Sequence, residues 1–165
     1  MSARVFVGVH GSLGSLQALR RAVAEARERR AVLVAVLAWT PPGGEAAYRR
    51  APCPPLHKVQ RELAEQRLTD AFDAALGGIP TGLPVETPVV CGPPGPVLVS
   101  LAARPDDLLV VGSGRIGVLR RAFGLQPPVV RHCSMRAACP VLVVPPSAMV
   151  RDLRRRPLQR GKASV

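Results

Sequence analysis

Four short runs of aliphatic and β-branched residues constrain this chain more than any other feature: Arg4 to Val9 (RVFVGV), Ala31 to Ala38 (AVLVAVLA), Asp107 to Val111 (DLLVV) and Val141 to Val144 (VLVV). None alternates polar and apolar residues as a strand with one wet face does. Each must therefore be buried on both faces, the condition of a strand inside a parallel sheet covered by helices. Between these runs the period becomes helical. Leu16, Leu19, Val23 and Ala26 recur at helical spacing after a cap expected at Ser15, with Arg20, Arg21, Arg27 and Arg30 off that stripe. Val59, Leu63, Leu68, Phe72 and Ala75 mark a helix from Leu56 to Leu76, stopped by Gly77 and Gly78, and shorter helices are expected over 97–103 and 129–137. Pro84 to Cys91 supplies one more strand, third in order, and Pro88 within it cannot donate to a ladder, which puts that strand at an edge. The order βαβαβαβαβ specifies an α/β fold: an open five-stranded parallel sheet, order 3-2-1-4-5, with helices on both faces.

With 165 residues the chain suits one domain, expected over 1–147. Pro41, Pro42, Gly43, Gly44, Pro52, Pro54 and Pro55 interrupt it with what reads as a long mobile loop over about 40–55. The net charge of +12 suggests nucleic acid until it is located. Six basic residues against Asp152 lie between Arg151 and Val165, a net +5 in a tail (148–165) whose composition predicts disorder and unspecific attraction to phosphates. With one Trp, one Tyr and three Phe the chain offers few rings on which bases could stack, so nucleic acid is not the expected partner. Apolar runs fall well short of the roughly 20 residues of a membrane helix, and MSARVFVGVHGS lacks a signal-peptide core, which makes the cytoplasm the expected location. Cys53, Cys91, Cys133 and Cys139 form no C-x-x-C pair and read as free thiols. His132, Cys133 and Cys139 lack a fourth ligand at a usual zinc spacing, and no metal is expected.

Open parallel sheets bind ligands outside the carboxyl ends of their strands, where the strand order reverses. In order 3-2-1-4-5 the first and fourth strands flank that point. The loop after the first holds Gly8, Val9, His10, Gly11, Ser12 and Gly14; the loop after the fourth holds Gly112, Ser113, Gly114, Arg115 and Gly117. Glycines let a backbone approach a phosphate, amides at a helix start point toward it, and Arg115 offers charge-assisted bonds, which together suit a small anionic ligand such as a nucleotide. Val36, in the second strand, completes the candidate set with Val9. Catalysis is not expected. Neither loop carries a carboxylate for a metal or for orienting a base, Ser12 or Ser113 beside His10 would lack an acidic third member, and Asp106 and Asp107 stand at the opposite end of the fourth strand.

V-F-V-G-V-H-G-S-L-G-S, V-V-G-S-G-R-I-G and C-P-V-L-V-V, in that order over about Arg4 to Pro145, resemble the first strand and turn, the phosphate loop and the last strand of the universal stress protein family. The resemblance implies an adenine nucleotide alpha hydrolase-like, Rossmann-like fold and a regulatory or binding role in the cytoplasm. It also implies ATP as cofactor and a homodimer paired through Val141, Leu142, Val143 and Val144. The sequence departs from the family's nucleotide-binding pattern twice. His10 stands where that pattern has an acidic residue. After G-S-G, Gly124 follows Gly114 at the family's separation but precedes Leu125 rather than a hydroxyl residue, and the other alignment sets Pro127 and Pro128 on the Gly-Ser pair. Arg115, Arg120 and Arg121 could compensate by charge. Three readings stay open: a module with a weakened nucleotide site, a homodimeric interaction protein whose site is vestigial, and a nucleic-acid binder acting through its tail.

Overall fold

The structure, a computed structural model, describes residues 3–113 and 128–145. Its elements in chain order are β1 (Arg4–Gly8), α1 (Leu13–Glu28), β2 (Val32–Trp39), α2 (Gly44–Arg50), α3 (Pro54–Leu76), β3 (Val85–Glu86), β4 (Val89–Cys91), α4 (Pro94–Leu101), β5 (Leu108–Gly112), α5 (Pro128–Arg136) and β6 (Val141–Val144). All pairings are parallel and the sheet runs β3-β2-β1-β5-β6, with β4 also on β2. β1 is central: Arg4 lies opposite Val32 and Val5 opposite Leu108.

Why the strands lack alternation is visible in the layers. Val5, Val7, Leu33, Ala35, Leu108 and Val110 pack toward α1 and α3. Phe6, Val34, Val36, Leu109 and Val111 point the other way, into the layer that holds Val97 and Leu98 of α4 and Val130 and Cys133 of α5. Successive side chains on a strand face opposite sides, and here each side is apolar.

Three local expectations change. Helix α1 starts before Ser15 because Ser12, with extended backbone (φ −78°, ψ 157°), is its cap and accepts the Ser15 amide at 3.3 Å. Ser15 is already helical, is buried, and donates its hydroxyl to the Ser12 carbonyl at 2.9 Å. The third strand is two pieces, so the sheet has six strands instead of five. The break falls at Thr87 and Pro88, and Pro88 still accepts from the Leu37 amide at 3.1 Å while having no hydrogen to return. The 40–55 segment is not wholly irregular: Gly43 turns at φ 77°, a left-handed conformation that suits glycine, and α2 follows over the proline-free stretch EAAYRR. The remainder of the expected domain to residue 147, and the 148–165 tail, lie outside the described residues.

Asp107, expected only as a polar residue at the entry of the fourth strand, is buried. It takes a forked bond from Arg4, Nε to Oδ1 at 3.0 Å and Nη2 to Oδ2 at 2.8 Å, and accepts the Arg104 amide at 3.1 Å. The pair joins the starts of β1 and β5, 103 residues apart in sequence, which is why nothing local announced it.

Candidate functional site

Beyond the ends of β1 and β5, beside the starts of α1 and α4, lies a gap. The gap is a cleft of about 220 Å³ lined by Val9, His10, Val36 and Gly112, among others. Its floor is set by one hydrogen bond: the Val9 amide donates to the Val36 carbonyl at 2.8 Å, carrying the β1–β2 pairing one residue past the strand. Its β5 wall depends on Gly112. A Cβ there would stand 2.4 Å from the Gly14 carbonyl oxygen and 3.2 Å from the Ser15 nitrogen, so only a residue without a side chain lets the start of α1 approach β5 this closely.

Of the residues singled out in the sequence, Val9, His10, Val36 and Gly112 meet in the cleft. Gly11 is exposed at the turn before α1. Ser12 is occupied as the α1 cap, and its hydroxyl also lies 3.2 Å from His10 Nε2. Ser113 donates its amide to the Val144 carbonyl at 2.9 Å, which extends the β5–β6 ladder and commits that donor to the sheet. Gly114, Arg115 and Gly117, with Arg120, Arg121, Gly124, Leu125 and Pro127, lie outside the described residues. The cleft also includes Ser15 and Val111, which lie within the motifs but were not among the expected site residues, and Ala38, Pro94, Leu98 and Val129, which no motif marked. Pro94 and Leu98 carried a usable signal, since they stand one helical turn apart at the start of α4, directly after a third strand end.

The lining is mainly aliphatic. Val9, Val36, Leu98, Val111 and Val129 form its walls, with the His10 ring and the Ser15 hydroxyl as polar points, so the cleft suits a flat, weakly polar group with a few directed bonds. Among the described residues no carboxylate lines it and no cluster of three or more metal-ligating side chains occurs. Cys133 and Cys139 lie in the layer behind it, both buried. Burial, then the neighbouring Cys139 thiol, pushes the Cys133 thiol up to about 11. Burial, then the nearby Asp107 carboxylate, raises Cys139 as well. Both are protonated packing groups at neutral pH. No described helix is long and apolar enough to cross a membrane.

A family model described as "Universal stress protein family" matches residues 1–145. Among solved structures, a universal stress protein in complex with cAMP is 28% identical, the match covering 88% of this chain and 98% of that one at a TM-score of 0.54. Universal stress protein UspA from Lactobacillus plantarum is 21% identical over 87% and 97%, with a TM-score of 0.59. Hypothetical protein MJ0577 is 17% identical over 89% and 98%, with a TM-score of 0.65. The last two likenesses concern the fold. No curated protein matches the chain.

Proposed function

The chain belongs to the universal stress protein family, and from that premise we propose that it is a cytoplasmic regulatory binding module, not an enzyme, that takes an adenine nucleotide in the cleft between β1 and β5. The observation that carries this reading is the cleft itself: an aliphatic slot at the point where the strand order reverses, floored by the Val9–Val36 bond and flanked by Gly112. A related protein 28% identical to this one has been crystallised with cAMP, which supports an adenine ring as the group that enters. His10 gives the ring edge a donor or an acceptor where the family pattern has only an acceptor, and so weakens the site for ATP without closing it. The lack of a carboxylate in the described lining supports binding without turnover.

Titration calorimetry with ATP, AMP and cAMP, with and without magnesium and at near-physiological salt, tests the reading. The full chain should bind at least one of them saturably, one per subunit, and a version ending at Val150 should bind it equally. No binding at millimolar nucleotide sinks the proposal. Binding that disappears on truncation would transfer the function to the basic tail.

A second reading has its own support. β6 is the last strand of the order, paired with β5 on one side only among the described residues, and Val143 is 38% exposed. Such an edge is a place for a second copy to pair, and the protein would then act as a homodimeric interaction module through Val141 to Val144 with its cleft vestigial. Sedimentation equilibrium on the wild type and on Val143→Lys separates the two: loss of a dimer with nucleotide binding absent throughout favours the second.

A further inference from the structure

Of the described helices, α2 alone buries none of its residues. Among the described residues, no ion pair and no side-chain hydrogen bond joins it to the rest of the molecule. Its backbone bonds are local as well: the Gly44 amide reaches the Pro41 carbonyl at 2.8 Å, and the Ala51 amide reaches the Ala47 carbonyl at 3.1 Å. Seven residues are too few for a helix to persist by itself in water. Something must dock it.

What docks it is a stack of three rings. The Tyr48 ring of α2 lies 5.0 Å, centre to centre, from the His57 ring of α3, and His57 lies 4.7 Å from Trp39 at the end of β2. The planes are tilted by 37° and 58°, an ordinary aromatic contact. Tyr48 and His57 also line, with Pro41 and Leu56 among others, a hollow of about 230 Å³ between α2 and the start of α3.

The chain around α2 has one soft point. Pro41 and Pro42 fix φ before it, and Pro52, Pro54 and Pro55 do so after it. Gly43 and Gly44 stand between, at φ 77° and 84°. A Cβ added at Gly44 would meet nothing within 4 Å, and one at Gly43 only the Ala47 Cβ at 3.0 Å. These left-handed angles are therefore not imposed by crowding, and a change in them is all that is needed to re-aim the helix.

We propose that α2 is a latched strap: it swings off α3 on the Gly43–Gly44 hinge, the Tyr48 ring on His57 is its latch, and its swing opens and closes the hollow at the start of α3. The hinge glycines leave the left-handed region as the strap opens. Nothing in this depends on the nucleotide reading.

The test is hydrogen exchange of the full chain, followed amide by amide, with energy transfer from Tyr48 to Trp39, the only Tyr and the only Trp of the chain. In the wild type the α2 amides should exchange through a local opening that dilute urea does not speed, while those of β2 wait for global unfolding. Tyr48→Ala should raise α2 exchange about fivefold, the size of one aromatic pair, with β2 unchanged. Tyr48→Phe, which keeps the ring, should leave it as it was. His57→Ala should also raise α2 exchange and lower the energy transfer, and adding Tyr48→Ala to it should raise exchange no further, because both remove one contact. Gly44→Ala should raise α2 exchange about fivefold too, since alanine is strained in the left-handed angle of the closed strap and relieved in the open one. Wild-type α2 amides that exchange only together with β2 overturn the proposal. So does Tyr48→Ala without effect, Tyr48→Phe acting like Tyr48→Ala, His57→Ala with unchanged energy transfer, or Gly44→Ala without effect. A rise shared by β2 in these variants marks a loosened fold in place of a strap and overturns it as well.

Discussion

The two ends of β1 and β5 are built in opposite ways. At their amino ends Arg4 grips Asp107 through two bonds and Asp107 takes a third from the Arg104 amide, and the C-terminal turn of α1 adds a second ionic group, Glu25 between Arg21 and Arg29. At their carboxyl ends the same strands finish in Gly8 and Gly112, and a cleft takes the place of side chains. One end is fastened by charge, and at the other the bare backbone of Gly8 and Gly112 lets Leu98 and the start of α1 come close beside the cleft. The fastened end and the cleft thus stand at opposite edges of one sheet, which lets the loops over the open edge vary without loosening the strands that carry them.

The largest test of this contrast is Asp107→Ala. It strips the partner from Arg4 and the acceptor from the Arg104 amide inside the protein, and since Arg4 is itself a quarter exposed the cost should be about 2–4 kcal/mol, read as a lowered midpoint in urea with an unchanged slope. Nucleotide affinity of the folded fraction should not change; if it falls, the two ends are not independent. Gly112→Ala comes next. Its Cβ meets backbone atoms of Gly14 and cannot be relieved by a rotamer, so about 2 kcal/mol should be lost as α1 is pushed from β5, and here ligand binding should weaken in step.

Acid should act on the fastened end. Burial pushes the Glu25 carboxyl up, but the hydrogen bonds from Arg29 and Arg21 outweigh it and hold it below the ordinary glutamate range. A depressed carboxyl contributes stability above its unfolded value, and that contribution is lost as pH falls from about 4.3 through the folded value. Because Arg21 and Arg29 are about half exposed, the amount is under about 1 kcal/mol. Glu25→Gln should flatten this part of the stability profile, and an unchanged slope below pH 5 would remove Glu25 from the account. The smallest effect is expected for Gly8→Ala. Its Cβ would meet only the end of the Leu98 side chain, Cδ1 at 2.9 Å, which can rotate, so the melting temperature should move by no more than the equivalent of about 0.5 kcal/mol. Nucleotide affinity should drop by more than that, because Leu98 lines the cleft.

How much of this was legible in the chain can be argued from particular residues. Val5 to Val7, Leu33 to Leu37 and Leu108 to Val111 are apolar at every position, and a two-faced burial requirement is a local property that needs no partner to be read. The carboxyl-end site was legible for the same reason: Gly8 and Gly112 end apolar runs, and the reversal between them follows from topology. The cap at Ser12 rather than Ser15 was not, because both are serines ahead of a helix and only the backbone angles decide which hydroxyl reaches an amide. Nor was α2, where seven glycines and prolines over 40–55 obscured the one proline-free stretch between them.

The sequence by itself determined the layers, the strand order and the edge of the sheet at which the cleft lies. Each of these follows from hydrophobic period and chain connectivity, which are carried by near neighbours. Only the tertiary structure decided the Arg4–Asp107 pair and the close approach of Gly112 to Gly14, because each brings together groups far apart in the chain. Their energies come from distances of a few ångströms between such groups. No local pattern encodes those distances.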